Sequence, residues 1–202
     1  NKRFAVTAAH VYDARSPGAV GAAVADTTNG YWQSVNMGDG SNYYLIMVNG
    51  ADKPLYFNGA TWVSVDGASS PALTGVTTTK LIHVNVFQDR LFFIEKDSLS
   101  VWYLAAGTVG GALTEFSFEG KAKLGGYLVA MATWTVDGGD GSNDLAVFIT
   151  SEGEFFVYQG TNPSSVATWS LIGNYYIAPP IGRRCFTKFG GDVVVVTKTG
   201  VF

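Results

Sequence analysis

Apolar residues in this chain come in short bursts, and the bursts keep no helical period. Between Lys80 and Phe118 four of them follow one another, at Lys80–Val86, Arg90–Glu95, Leu99–Leu104 and Thr114–Phe118. They are rich in Val, Ile, Phe, Tyr and Trp, and Gly, Asn, Asp and Ser punctuate the chain between runs. That is the signature of strands joined by turns. Nowhere does an apolar spacing of three to four persist for the length of a helix. The nearest approach is "GAVGAAVAD" at Gly18–Asp26, whose glycines weaken a helix.

The same pattern recurs. "GDGSN" stands at Gly38–Asn42 and again at Gly139–Asn143, an offset of 101. An apolar run, a polar turn and an aromatic-rich run follow each copy, and then a glycine (Gly59, Gly160) and Ala-Thr-Trp ending at Trp62 or Trp169. Upstream, Trp32 and Trp134 stand 102 apart. A second register superposes "VFQDRLFFIEKDSL" from Val86 on "KFGGDVVVVTKTGV" from Lys188, matching Phe87 to Phe189 and Lys96 to Lys198. A unit of about 50 residues with three or four strands is the period of a propeller blade. The expected fold is therefore all-β, a β-propeller of four-stranded antiparallel blades. Full units are expected at about 31–67, 80–118 and 127–172, with partial units at 1–26 and 181–202. "RFAVTAAHVYDA" at Arg3–Ala14 looks like the middle hairpin of a blade, and Arg183–Phe202 like the first two strands of another. If these end pieces combine, four blades close a ring; if they do not, the chain is part of a larger one. The whole of 1–202 is taken as one domain. The start at Asn1 and the stop at Phe202, directly after a strand-like run, predict a piece of a longer polypeptide.

Composition fits this picture and narrows the function. Hydrophobic residues make up 47% of the 202 and charged residues 14%, well under the roughly 25% charge of an average domain. A net charge of −3 and a pI of about 5.3 advertise no basic surface for nucleic acid. Arg183 and Arg184 are adjacent, and in a strand they would point to opposite faces, a poor basic patch. Mean hydropathy is +0.17, but no apolar run nears the roughly 18 residues needed to span a bilayer. One cysteine, Cys185, forbids an internal disulfide and fits a small buried side chain.

The polar motifs carry little chemistry. A calcium loop needs alternating oxygens, a matched glycine and a bidentate acid. In the second GDGSN copy Asp140, Ser142 and Asp144 alternate, but Leu145 and Ser151 fall where the glycine and the acid belong. Tyr43 replaces Asp144 in the first copy, so both read as turns, with Gly38, Gly40, Gly139 and Gly141 free to take positive φ. Glycosidase chemistry requires two carboxyls in one cleft, and the pairs Glu115/Glu119 and Glu152/Glu154 sit at outer or turn positions without a sialidase-type box. His10 and His83 are too few for a zinc site, and His83 alternates with apolar residues as a strand histidine does. No catalytic, cofactor or metal residue is assigned. The repeated tryptophans are expected to pack between blades. Tyr43, Tyr158, Tyr175 and Tyr176 are the candidates for an exposed binding rim.

Several segments in order, "GYWQSVNMGDG", "LIMVNGADKPLYFNGATW", "LIHVNVFQDRLFFIEKDSLSVWYL", "GGYLVAMATWTVD", "DLAVFITSEGEFFVYQGTNP" and "IGRRCFTKFGGDVVVVTKTGVF", resemble a family of tailed-bacteriophage and prophage structural proteins. The resemblance spans nearly the whole chain, and family members are longer. It implies a non-enzymatic virion component of the tail or the head–tail junction, located in the particle. Other virion proteins would be its partners, a homo-oligomeric ring being one arrangement, with neither nucleic acid nor membrane insertion. The alternatives are a propeller module that binds host carbohydrate or a receptor, and, behind it, a glycosidase. The family brings no catalytic residues to carry over.

Overall fold

The computed structural model describes residues 2–137 and 142–202. Its strands form five antiparallel meanders in chain order, here sheets I to V. Sheet I holds β1 (Phe4–Val6), β2 (His10–Asp13) and β3 (Ala23–Asp26). Sheet II holds β4 (Gln33–Gly38), β5 (Tyr43–Val48), β6 (Leu55–Phe57) and β7 (Trp62–Ser64). The short β8 (Leu73–Thr74) follows, then sheet III with β9 (Leu81–Phe87), β10 (Arg90–Glu95) and β11 (Ser100–Tyr103). A two-residue β12 (Gly111–Ala112) pairs in parallel with β8, and β13 (Thr114–Ser117) completes sheet III. Sheet IV holds β14 (Leu128–Asp137), β15 (Ser142–Thr150), β16 (Glu154–Gly160) and β17 (Trp169–Tyr176). Sheet V holds β18 (Phe186–Phe189), β19 (Asp192–Thr197) and β20 (Gly200–Val201). Among the described residues, no helix is long and apolar enough to cross a membrane.

All-β architecture with four-stranded antiparallel sheets is thus present in II, III and IV. The end pieces do not combine into one sheet: β1–β3 and β18–β20 form two separate three-stranded sheets, with no ladder between them among the described residues.

Two-sided burial explains the unbroken apolar runs. Alternate strand residues point to opposite faces, and sheets II, III and IV each have neighbours on both. On β10, Leu91 and Phe93 join a cluster with Ile46, Val48 and Tyr56 of sheet II. Their neighbours Phe92 and Ile94 join Phe148, Phe156 and Trp169 of sheet IV. On β15, Phe148 faces sheet III, whereas Val147 and Ile149 face Cys185 and Val195 beside sheet V. Val11, Trp32, Met47 and Leu55 fill the space between sheets I and II. β4 and β5 pack on β9, β9 and β10 on β14, and β14 on β19.

The hairpins set the register. Gln88 and Asp89 join β9 to β10 at φ 48° and 56°, the doubly positive turn whose twist matches that of the flanking strands. Phe87 and Phe189 close β9 and β18, opposite Arg90 and Asp192, so the second repeat register holds in space. In the first GDGSN copy the Asp39 carboxylate accepts the amides of Ser41 at 2.9 Å and Asn42 at 2.7 Å. Only Gly40 of that copy needs the left-handed region, at φ 86°; Gly38 instead ends β4. Gly139 and Gly141 of the second copy lie outside the described residues.

The copies are not in the same register, however. The β4–β5 ladder ends at Gly38 opposite Tyr43, and the β14–β15 ladder at Asp137 opposite Ser142. Relative to the shared letters the second turn comes two residues early, which moves every partner on β14 by four. Trp134 accordingly stands opposite Leu145, at the place Met37 holds opposite Tyr44, and Trp32 lies before β4 at the far end of that strand. The matching of Trp32 to Trp134 is therefore not structural. Trp62 and Trp169 open β7 and β17 and both pack toward the preceding sheet, but Trp62 stands opposite Phe57 and Trp169 opposite Gly160, two residues apart in the shared register.

Candidate functional site

The polar residues singled out from the sequence are scattered over the sheets. His10 on β2 is half-buried, with Nδ1 3.0 Å from the Asp26 carboxylate on the neighbouring β3. His83 is buried on β9, where Nε2–H donates to the Met131 carbonyl at 2.9 Å and Nδ1 has no partner among the described residues. Burial first, and the Arg183 charge as well, push its pKa down to about 4, so the ring is neutral. Cys185 is fully buried, which pushes its thiol up to about 11, away from nucleophilic character.

The carboxylates do not converge. Glu115 on β13 is exposed and accepts the Ser100 hydroxyl at 2.5 Å; Glu119 is exposed beyond the strand. Glu152 is exposed in the β15–β16 turn, but Glu154 is buried. Its two oxygens each accept one backbone amide, from Lys123 and Leu124, both at 3.0 Å. Glu154 is thus a clamp that holds the β13–β14 connection against β16. Glu154→Gln keeps only one acceptor oxygen and turns an NH2 towards the other amide. We expect a loss of about 1–3 kcal/mol in urea unfolding, against less than about 0.5 kcal/mol for Glu152→Gln.

The rim aromatics separate too. Tyr158 is buried and stacks on Trp169 with centroids 5.3 Å apart, so it is a core residue of the interface between sheets III and IV. Tyr43 is 85% exposed at the start of β5. Tyr175 and Tyr176 are exposed on β17, at the opposite end of their sheet from the β14–β15 turn. No common rim joins the three.

What the fold does bring together centres on Arg183 and Arg184. They lie in a turn before β18 and not in a strand, so strand alternation does not govern them. Arg183 Nη1 donates to the Asn49 carbonyl at 3.2 Å, and Arg184 Nη2 to the Trp32 carbonyl at 2.6 Å. Both guanidiniums therefore reach from the approach to sheet V back to the sheet I–II connection and sheet II. The preceding Pro179-Pro180-Ile181-Gly182 was the available signal, since two prolines and a glycine mark a turn.

A cleft of about 390 Å³ opens here. Its wall takes Asn29 and Tyr31 from the connection of sheets I and II, and Asn49 and Gly50 from the β5–β6 turn. Sheet III contributes Lys96 and Asp97, sheet IV Tyr127 and Val129, and the approach to sheet V Gly182 and Arg183. An adjoining hollow of about 440 Å³ shares Tyr31, Gly182 and Arg183 and adds Arg184. Among the described residues neither arginine forms an ion pair. Burial, then the Arg184 charge, pull the Arg183 guanidinium below its usual range. Such a wall can hold an anion. It contains one carboxylate, so paired-carboxyl hydrolysis finds no pair of residues in it.

Gly50 makes the arrangement possible. It takes φ 76°, and a Cβ there would lie 2.5 Å from Ile82 Cγ2 and 3.2 Å from Arg183 Nη1. Gly50→Ala should lose about 1–3 kcal/mol through strain at positive φ and displacement of Ile82, read as a lower urea midpoint. Neither a protein-family model nor a curated protein matches the chain.

Proposed function

We propose that this chain is a non-enzymatic structural module of a tailed-bacteriophage particle, of the tail or the head–tail junction, built as a β-propeller or an arc of one. On this reading the five sheets are five blades, with β4, β9, β14 and β18–β19 on the inner side. Two findings support the propeller. The first strands of sheets II, III and IV are neighbours in turn and β14 packs on β19, and Arg183 and Arg184 tie the approach to the last sheet to the β5–β6 turn and the entry of the second.

The observation that carries the structural role is the packing. Aromatic and aliphatic side chains fill all four spaces between successive sheets, so that II, III and IV are buried on both faces. A body held this way is a stiff spacer whose turns and terminal sheets remain for neighbours. Those terminal sheets expose large apolar residues, Val6 and Val24 on sheet I and Phe189, Val201 and Phe202 at sheet V, as contact surfaces do. Mass spectrometry and cryo-EM of purified particles should find the chain at fixed stoichiometry in the tail or its junction. Its absence from purified particles would overturn the proposal.

A second reading, a module binding host carbohydrate, is favoured by one observation: the cleft around Arg183.

A further inference from the structure

We propose that this cleft binds an acidic saccharide, with a uronate carboxylate on the Arg183 guanidinium and sugar hydroxyls on Asp97, Lys96 and Asn29. The inference rests on the second reading above and names its site and ligand class.

Charge is the first argument. A guanidinium has five N–H donors, and among the described residues Arg183 makes one hydrogen bond, to the Asn49 carbonyl. It is half-buried and, among the described residues, has no carboxylate partner. A planar carboxylate is the group that matches such a fork. Lys96 adds a second cation to the wall and Asp97 the only anion among the described residues, a surplus of one positive charge.

Asp97 then discriminates among anions. Any anion placed on Arg183 is repelled by that carboxylate, and phosphate and sulfate bring few or no hydroxyl donors to offset the repulsion. A sugar acid would satisfy both groups, giving its own carboxylate to Arg183 and hydroxyl donors to Asp97. The remaining wall fits the same ligand. Tyr127, 41% exposed, stands at the cleft and offers its ring to the C–H side of a pyranose, while Tyr31, 67% exposed, has the Arg183 guanidinium over its ring at 6.0 Å from the centroid. At about 390 Å³ the cleft falls within the roughly 300–1,000 Å³ of small-molecule sites. Separate sheets supply the wall, so the positions are set before any ligand arrives.

Calorimetric titration of the purified chain tests this with four probes: a galacturonic acid trisaccharide, its carboxyl-reduced neutral counterpart, inorganic phosphate and a glutamate-rich peptide. The uronate should bind at least ten-fold more tightly than each of the others. Arg183→Gln should weaken uronate binding at least ten-fold, and Asp97→Asn should also weaken it. Strengthening by Asp97→Asn would point to a simple anion site and overturn the proposal. So would phosphate or the peptide matching the uronate, or the neutral sugar matching it, which keeps a carbohydrate module but removes the acid. Binding of none of the four would overturn the inference and the carbohydrate reading together. Because Arg183 also ties two sheets, Tyr127→Ala, which leaves that tie intact, should independently weaken the uronate several-fold; no change there would overturn the placement.

Discussion

Trp169→Ala should lower the unfolding free energy by about 3–5 kcal/mol, the usual cost of truncating a large buried aromatic. The side chain is 6% exposed and bridges two sheets. It stacks on Tyr158 of its own sheet and on Phe92 of sheet III, and meets Phe87 and Phe116 edge-on. Its removal empties the space between sheets that the rest of the cluster cannot close without moving strands. Urea unfolding followed by far-UV circular dichroism reads the loss as a lower midpoint. Trp62→Ala, at the start of β7 in sheet II and only half-buried among Phe4 and Phe57, should cost less. Equal costs for the two would mean that sheet III and sheet IV are not held together through Trp169.

His83 should make the fold weaken in mild acid. The unfolded chain takes up a proton near the ordinary histidine pKa of 6.5, whereas the buried ring does so only at about 4. Between those values the unfolded state binds more protons, so stability falls as pH falls. The loss is fully absent above about 6.5 and complete below about 4, and amounts to about 3 kcal/mol. The cause is burial, with the Arg183 charge adding to it. Asp13, Asp39 and Asp66 are held below their usual range by hydrogen bonds to their carboxylates, and their own losses lie at lower pH. They are common to the wild type and to His83→Leu, so comparing the two proteins isolates the histidine. Unfolding at pH 7 and pH 4 should show His83→Leu losing about 3 kcal/mol less than the wild type over that interval. Parallel losses would show that the ring is not sealed and neutral in the folded state.

Much of the strand layout was legible beforehand. In sheet III the expected runs at Lys80–Val86, Arg90–Glu95, Leu99–Leu104 and Thr114–Phe118 differ from the observed strands by about a residue at most ends. The reason is that burial on both faces turns each strand into an unbroken apolar run, and the turns carry their own residues, such as the Asp39 carboxylate that closes its loop. The parallel contact of β8 with β12 was not legible, because it joins two-residue strands far apart in sequence. The burial of Tyr158 was not legible for a related reason: whether a tyrosine meets solvent or a packed aromatic cluster depends on a neighbouring sheet, not on its own strand.

The chain's pattern alone determined that this protein is all-β, built from successive short meanders with apolar faces, because strand, turn and face are set by residues within a few positions of one another. Only the tertiary structure decided which letters of the repeat are equivalent in space, since a turn two residues early moved Trp134 to the position of Met37. It alone brought Arg183 to the Asn49 carbonyl, across 134 residues. A cleft assembled from turns of separate sheets has no local signature. It exists because stacking fixes where those turns meet, and because Gly50 leaves room for the guanidinium beside them.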